Sequence, residues 1–332
     1  MNTPVRIVLF SEVNSKLGAP FLKPLAAHPL TRLAGLVTSP PGRLCSYFVG
    51  EPDPVDLAVH AAGLGVPVLR PEKVNAPETR TWLQRLRPDY FLVCNYQQIF
   101  KERLLAVPSV TCINFHPSPL PRYAGLAPFY WMVRHGERDG AVSVIEMTAG
   151  IDEGPILMRR SLPLTGRETT SSLRAAQERL NIDTLRDLVP QLAARSLDRT
   201  PQDPAQRTYF GRPTDADLRI DPTRTAQTVD RVVRAGYRRP GAHLDMADGR
   251  RITVLSVEHA GTHGLATPGS VRPSATGVLL ATEDAWLRIT SIDQDGHEVP
   301  ADHQHLRDLS AGLAPPRETG TAAPRVPRLD AS

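Results

Sequence analysis

Cys112-Ile-Asn-Phe-His-Pro-Ser-Pro-Leu-Pro-Arg-Tyr-Ala-Gly125 opens as a strand and is broken by Pro117, Pro119 and Pro121. Side chains alternate along an extended chain, so Cys112, Asn114 and His116 share one face while Ile113 and Phe115 share the other. An amide and an imidazole two residues apart at the carboxyl end of a strand suit a reactive centre. Downstream, Ala149-Gly-Ile-Asp-Glu-Gly-Pro155 sets Asp152 in a glycine-flanked loop, where it can join them.

The chain before this stretch decides what kind of strand it is. Val5–Phe10 is a short, mostly apolar run, as expected of a strand buried on both faces of a parallel sheet. Helical patterning follows at residues 19–27, a second strand at 33–38, a helix from Asp53 to Gly63, a third strand at 66–69, a helix at 77–86 and a fourth strand at 89–94. Strands alternating with helices predict an α/β fold, a Rossmann-like doubly wound sheet. Ligands sit outside the carboxyl ends of strands in such sheets, which is where Asn114 and His116 are delivered.

Beyond the centre the pattern gives a helix at 125–135, strands at 141–147 and from 156, and a long helix that starts within 167–172 and runs towards Leu188, with Pro190 near its end. Asp198-Arg-Thr-Pro-Gln-Asp-Pro-Ala-Gln206 is rich in proline and polar residues and reads as a linker. The expected domains are 1–197 and 207–310, with the linker at 198–206 between them. In the second, a helix at 225–234 is followed by short strands at 251–257, 269–271, 277–281 and 286–292 with Gly and Pro turns. That is a small β-barrel-like (OB-like) domain. Residues 311–332, rich in Pro, Ala and Arg, read as a disordered tail.

A chain of 332 residues with 41% hydrophobic and 22% charged residues has the composition of a soluble two-domain protein. Its net charge of +4 comes mainly from dispersed arginines, which fits solvated faces better than a nucleic-acid surface. Cys45, Cys94 and Cys112 are widely spaced, odd in number and contain no CxxC pair, which argues for a reducing compartment and against disulfides or zinc. No run reaches the roughly 18 apolar residues of a membrane span, and the N-terminus lacks a secretory pattern. A cytoplasmic protein that binds no metal is expected.

Motifs narrow the chemistry. No GxGxxG follows the first strand, and the Walker A, GxSxG and HExxH patterns are missing. Asn114, His116 and Asp152 remain. Acyl transfer to an amine needs a group that takes the amine proton, a donor for the oxyanion and a carboxylate that holds or relays the proton. Imidazole, amide and carboxylate fit these roles. On spacing alone, a satisfied strand-end pair with Asp152 merely shaping a turn fits equally well.

Asn114-Phe-His116-Pro-Ser-Pro-Leu-Pro-Arg-Tyr123-Ala-Gly125, Gly136-Glu137 and Gly150-Ile-Asp152-Glu-Gly154-Pro-Ile-Leu157 together resemble the 10-formyltetrahydrofolate-dependent formyltransferases, most closely the methionyl-tRNA formyltransferase type. The resemblance implies that Asn114 and His116 polarise the formyl oxygen and receive the amine's proton, while Asp152 orients and tunes the base. It also implies a folate pocket at Asn95, Tyr96, Gln97 and Ile99, closed by Leu120, Pro121, Arg122, Tyr123 and Gly150, with 10-formyltetrahydrofolate as co-substrate. Three residues or segments depart from the tRNA enzymes. Ala124 stands where they usually carry Arg, and Pro119 replaces a Leu. The loop at 39–53 is short and has Arg43 as its single basic residue, whereas contact with tRNA phosphates calls for several. The expected activity is therefore N-formylation of the amine or hydroxylamine of a small metabolite. A methionyl-tRNA formyltransferase is the first alternative and a 10-formyltetrahydrofolate hydrolase the second. The expected partners are folate and a small amine, with tRNA permitted but not favoured.

Overall fold

The computed structural model describes residues 3–262, 264–301 and 312–314. The chain forms two compact units that are discontinuous in sequence. The first gathers residues 1–125, 139–163 and 175–208; the second gathers 126–138, 164–174 and 209–332.

The first unit is built on strands β1 (Val5–Phe10), β2 (Thr31–Val37), β3 (Val68–Leu69), β4 (Tyr90–Cys94) and β5 (Thr111–His116). It also contains a two-residue extended segment β6 (Ala124–Gly125), then β7 (Asp139–Glu146) and β8 (Ile156–Pro163). Seven of these form one sheet in the order β3-β2-β1-β4-β5-β7-β8. The first five are parallel, and β7 and β8 are antiparallel. Helices α1 (Leu22–Ala27), α2 (Leu57–Gly63), α3 (Pro77–Arg85) and α4 (Glu102–Leu105) make the crossovers. Every residue of β4 is buried, as a strand covered on both faces requires. Val8, Phe10, Phe91, Val93 and Cys112 form one apolar cluster on a single face, and that face leads to the site.

Three helices differ from expectation. α2 begins at Leu57, not at Asp53, because the Asp56 carboxylate accepts the N–H groups of Ala58 and Val59 and so sets the cap. α5 (Pro128–His135) begins three residues later than its pattern, with Ala127 in the left-handed region before a proline at the first helical position. α6 (Thr170–Ala194) continues through Pro190. Leu188, Val189 and Leu192 are buried, and burying that apolar face offsets the one backbone hydrogen bond that the proline lacks.

The second unit contains β9 (Tyr209–Phe210), α7 (Asp215–Leu218) and α8 (Ala226–Ala235). Its six-stranded antiparallel sheet comprises β10 (Ala242–Asp245), β11 (Arg251–Thr262), β12 (Val271–Ser274), β13 (Gly277–Ala281), β14 (Ala285–Gln294) and β15 (His297–Pro300). β10 and β15 were not anticipated. Val229, Val232 and Val233 of α8 share a core with Leu244, Val254, Leu287 and Ile289. Within the segment read as a tail, Leu313 bridges Met246. Residues 302–311 and 315–332, which take in most of the expected tail, lie outside the described residues.

Candidate active site

The site belongs to the first unit. Parallel pairing aligns Phe10 with Val93, Val93 with Asn114 and Cys94 with Phe115. Antiparallel pairing sets His116 opposite Ser143. Asn114 and His116 therefore emerge at the carboxyl edge of the parallel strands, on the face of the Val8–Phe10–Phe91–Val93 cluster.

The proline-broken loop folds back over His116. The Ser118 hydroxyl donates to the carbonyls of Arg122 at 2.9 Å and Tyr123 at 3.1 Å. The Ser143 hydroxyl donates to the Ser118 carbonyl at 2.7 Å and accepts the Leu120 N–H at 3.2 Å. Gln177, fully buried on α6, donates to the carbonyls of Pro117 and Ala141. Arg159 donates to the Leu120 carbonyl, and burial with Arg122 nearby holds its guanidinium below its ordinary value. Leu120–Pro121 is cis, and Tyr123 adopts φ 58°.

This fold-back fixes one proton of the imidazole. Nε2 of His116 lies 3.0 Å from the Tyr123 carbonyl oxygen. A carbonyl can only accept, so Nε2 carries a proton and donates it. Nδ1 then faces Oδ2 of Asp152 at 3.5 Å, with His116 almost fully buried and the Asp152 side chain 13% exposed. The same Oδ2 accepts the Gly125 N–H at 2.8 Å. A neutral imidazole with its proton on Nε2 turns a bare lone pair towards a carboxylate. The Asn114 amide is half-buried and has no hydrogen-bond partner among the described residues. It is thus an available donor beside the pair.

The Asp152 loop is held from behind by residues that were read as linker or placed just after it. Gln202 donates to the carbonyls of Asp152 at 2.9 Å and Gly154 at 2.7 Å. Arg207 donates to Ile151 O at 2.7 Å and Asp152 O at 3.3 Å and pairs with Glu153 at 3.4 Å. Thr208 receives the Tyr123 N–H on its hydroxyl at 2.8 Å. Gly154 is required by close approach, because a Cβ there would stand 1.7 Å from the Glu146 carbonyl oxygen. Asp152 itself sits at φ 54°, a left-handed conformation that aspartate tolerates better than most residues.

The residues expected to hold folate are distributed unevenly. Asn95 follows β4 in a left-handed conformation at φ 56° and donates to the Ser15 hydroxyl at 2.9 Å. The Gln97 N–H donates to Glu12 Oε1 at 2.9 Å and its amide to the Cys45 sulfur at 3.4 Å. Leu120, Pro121 and Tyr123 are buried, and Arg122 and Gly150 half-buried, in the two loops that bracket the pair. Tyr96 instead stacks edge-on against Phe10 and Phe100. Burial pushes its hydroxyl up. Ile99 is 64% exposed. The structure shows no contact of Tyr96 or Ile99 with the Asn114–His116–Asp152 group. Sequence reasoning missed Ser118, which bonds within its own loop, and Ser143, Gln177, Gln202 and Arg207, which act through backbone carbonyls far away in the chain.

Comparison with known proteins gives the family. Residues 6–188 match the family described as formyl transferase, and residues 213–304 match the formyl transferase C-terminal domain. A methionyl-tRNA formyltransferase of Geotalea uraniireducens is 33% identical over 260 residues, covering 78% of this chain and 81% of that protein. One of Citrifermentans bemidjiense is 35% identical over 244 residues, covering 73% and 76%. Among solved structures, the sugar 3N-formyl transferase WlaRD superposes with a TM-score of 0.64 at 14% identity, covering 86% of this chain and 96% of its own. An N-formyltransferase of Helicobacter canadensis gives 0.64 at 14% identity, covering 88% and 99%. The two structures speak for the fold; the matched families and relatives speak for descent. The chain belongs to the formyl transferase family.

Proposed function

We propose that this protein is an N-formyltransferase that moves the formyl group of 10-formyltetrahydrofolate to the amine or hydroxylamine of a small metabolite in the cytoplasm. Asn114, His116 and Asp152 are its catalytic residues. The loops at 95–99, 120–123 and around Gly150 are the folate-holding surface. The folate supplies an activated formyl carbon, and the chain supplies the charge and proton handling. As the amine nitrogen bonds to the formyl carbon, the oxygen gains negative charge, and the unpartnered Asn114 amide is the donor that meets it. The nitrogen must shed a proton, and as the oxyanion collapses the bond from the formyl carbon to the folate nitrogen breaks, that nitrogen taking a proton to leave as tetrahydrofolate. Nε2 of His116 is committed to the Tyr123 carbonyl, so the proton is taken on the Nδ1–Asp152 side. Gln202 and Arg207 keep the carboxylate in place meanwhile.

The observation that carries the choice of acceptor is the loop after β2. Residues 39–53 contain Arg43 against Glu51 and Asp53. The loop is pinned rather than free, because Asn14 makes paired bonds with the Cys45 backbone at 2.9 and 2.8 Å. Its neighbour Lys16 lies 3.4 Å from Glu51, and Arg43 lies 3.5 Å from Glu72. A short, net-acidic rim offers little to a polyphosphate. The methionyl-tRNA reading is favoured by the relatives from Geotalea uraniireducens and Citrifermentans bemidjiense, which are methionyl-tRNA formyltransferases. A panel of primary amines and hydroxylamines, run beside methionyl-tRNA and followed by tetrahydrofolate release, tests the choice. Turnover with small amines and none with the tRNA is expected. Strong, salt-sensitive formylation of the tRNA alone would overturn the proposal, and tetrahydrofolate release without any amine would point to a hydrolase.

A further inference from the structure

The imidazole of His116 stands between two acceptors that compete for one proton. The Tyr123 carbonyl oxygen lies 3.0 Å from Nε2, and Oδ2 of Asp152 lies 3.5 Å from Nδ1. A hydrogen bond to a carboxylate is roughly twice as strong as one to a neutral carbonyl. At equal reach, the one proton of a neutral imidazole would therefore settle on Nδ1, facing Asp152. The geometry reverses that order. The carbonyl is within ordinary hydrogen-bond range, whereas the carboxylate lies beyond it, and its Oδ2 already accepts the Gly125 N–H at 2.8 Å.

The position of the Tyr123 carbonyl thus decides which nitrogen of His116 is left bare. Tyr123 adopts φ 58°, a strained conformation for a bulky residue that persists only where its surroundings hold it. Thr208 holds it through the backbone: its hydroxyl accepts the Tyr123 N–H at 2.8 Å. Its carbonyl accepts the Ala124 N–H, in the same peptide unit as the Tyr123 carbonyl, at 2.9 Å. Ser118 acts on the carbonyl itself. Its hydroxyl donates at 3.1 Å to the oxygen that His116 uses, and at 2.9 Å to the Arg122 carbonyl just before it. Ser118 is fully buried, and its own carbonyl is held by the Ser143 hydroxyl at 2.7 Å.

We infer that Ser118 is a positioning residue for His116: it keeps the Tyr123 carbonyl against Nε2 and so leaves Nδ1 bare on the Asp152 side. There the amine's proton arrives in the formyl transfer proposed above, and the consequence for rate rests on that reading. The place of the imidazole proton does not. Without the Ser118 hydroxyl, the carbonyl is free to turn away and the proton moves to Nδ1, occupying the position that has to receive the next one.

Nitrogen-15 spectra of the full chain test this directly. They are recorded at one pH well above the ordinary histidine value of about 6.5, with the His116 signals assigned by their loss in His116→Gln. The unaltered protein should show a protonated Nε2 and a bare Nδ1. Ser118→Ala should shift the balance towards protonated Nδ1 by about tenfold, the worth of one hydrogen bond. Ser118→Cys keeps the volume with a weaker donor and should fall between the two. In formyl transfer, Ser118→Ala should lower kcat about tenfold with folate KM unchanged. A merely structural hydroxyl would instead loosen the 120–123 loop, raising folate KM while leaving the nitrogen pattern as it was, and that result overturns the inference. So does a proton found on Nδ1 in the unaltered protein, a result that needs no variant to fold. Absence of formyl transfer in the unaltered protein overturns the proposed function alone, because the nitrogen pattern still judges Ser118.

Discussion

The Asp152 carboxylate receives the Gly125 backbone N–H at 2.8 Å on the same oxygen that faces His116. One oxygen thus serves two ends: it ties the proline-broken loop to the Gly-Ile-Asp-Glu-Gly loop, and it fixes the distance to Nδ1. Under the proposed chemistry, removing the carboxylate removes a proton-handling group as well as a tie between loops, and two substitutions separate these effects.

Asp152→Asn keeps an oxygen that accepts from Gly125 and suits φ 54°, because asparagine also tolerates the left-handed region. It should fold with a nearly unchanged melting temperature while kcat falls by about 10²–10⁴, the usual worth of one acid–base group. Asp152→Ala should show a comparable kinetic loss and, in addition, a stability loss of about 1–2 kcal/mol from the lost hydrogen bond and the strained backbone. Single-turnover rates and thermal melts measure the two effects. A kcat within about tenfold of the parent in Asp152→Asn would place the proton transfer elsewhere.

The second unit carries a pH dependence of its own. His243 is 2% exposed. Burial foremost, and then Arg251, push its imidazole below the ordinary value; Asp215, Asp245 and a hydrogen bond with the Gly241 backbone oppose this. With the folded value lowered, the unfolded chain binds more protons, so stability falls as pH drops through the ordinary histidine value of about 6.5. Melting temperatures taken from above to below that pH should decline, and His243→Gln should flatten the decline. Unchanged curvature in the variant would assign the loss to other groups.

The legible parts of the sequence were those governed by local period. Alternation placed Asn114 and His116 on one face, glycine flanks marked the Asp152 loop, and apolar runs gave the strands. Less visible was whatever depended on partners distant in sequence. Gln202 sits in a segment whose prolines and polar residues read as a connector, and nothing local reveals that its amide reaches two carbonyls some fifty residues back. Pro190 reads as lying near the end of its helix, and with Leu188, Val189 and Leu192 buried the helix runs on past it to Ala194. Tyr96 is a different case: the resemblance implies that it contacts folate, and the edge-on rings of Phe10 and Phe100 position it.

That long-range support gives the last prediction. The two bonds from Gln202 fix the carbonyls on either side of Glu153, so the Asp152 side chain is aimed by a residue that never touches it. Losing both bonds leaves two carbonyls to water and lets the loop relax. Gln202→Ala should lower kcat by about tenfold, in line with roughly 1–3 kcal/mol for two hydrogen bonds. KM for the acceptor should stay as it was, because Gln202 contributes position rather than contact. Gln202→Glu replaces the donor amide with an acceptor facing two acceptors and should be worse than Ala. The ordering Gln, then Ala, then Glu in kcat distinguishes aiming from simple packing, since packing would favour the larger Glu. If Glu exceeded Ala, the loop would be held by Arg207 alone, and Arg207→Ala should then show the full kinetic loss.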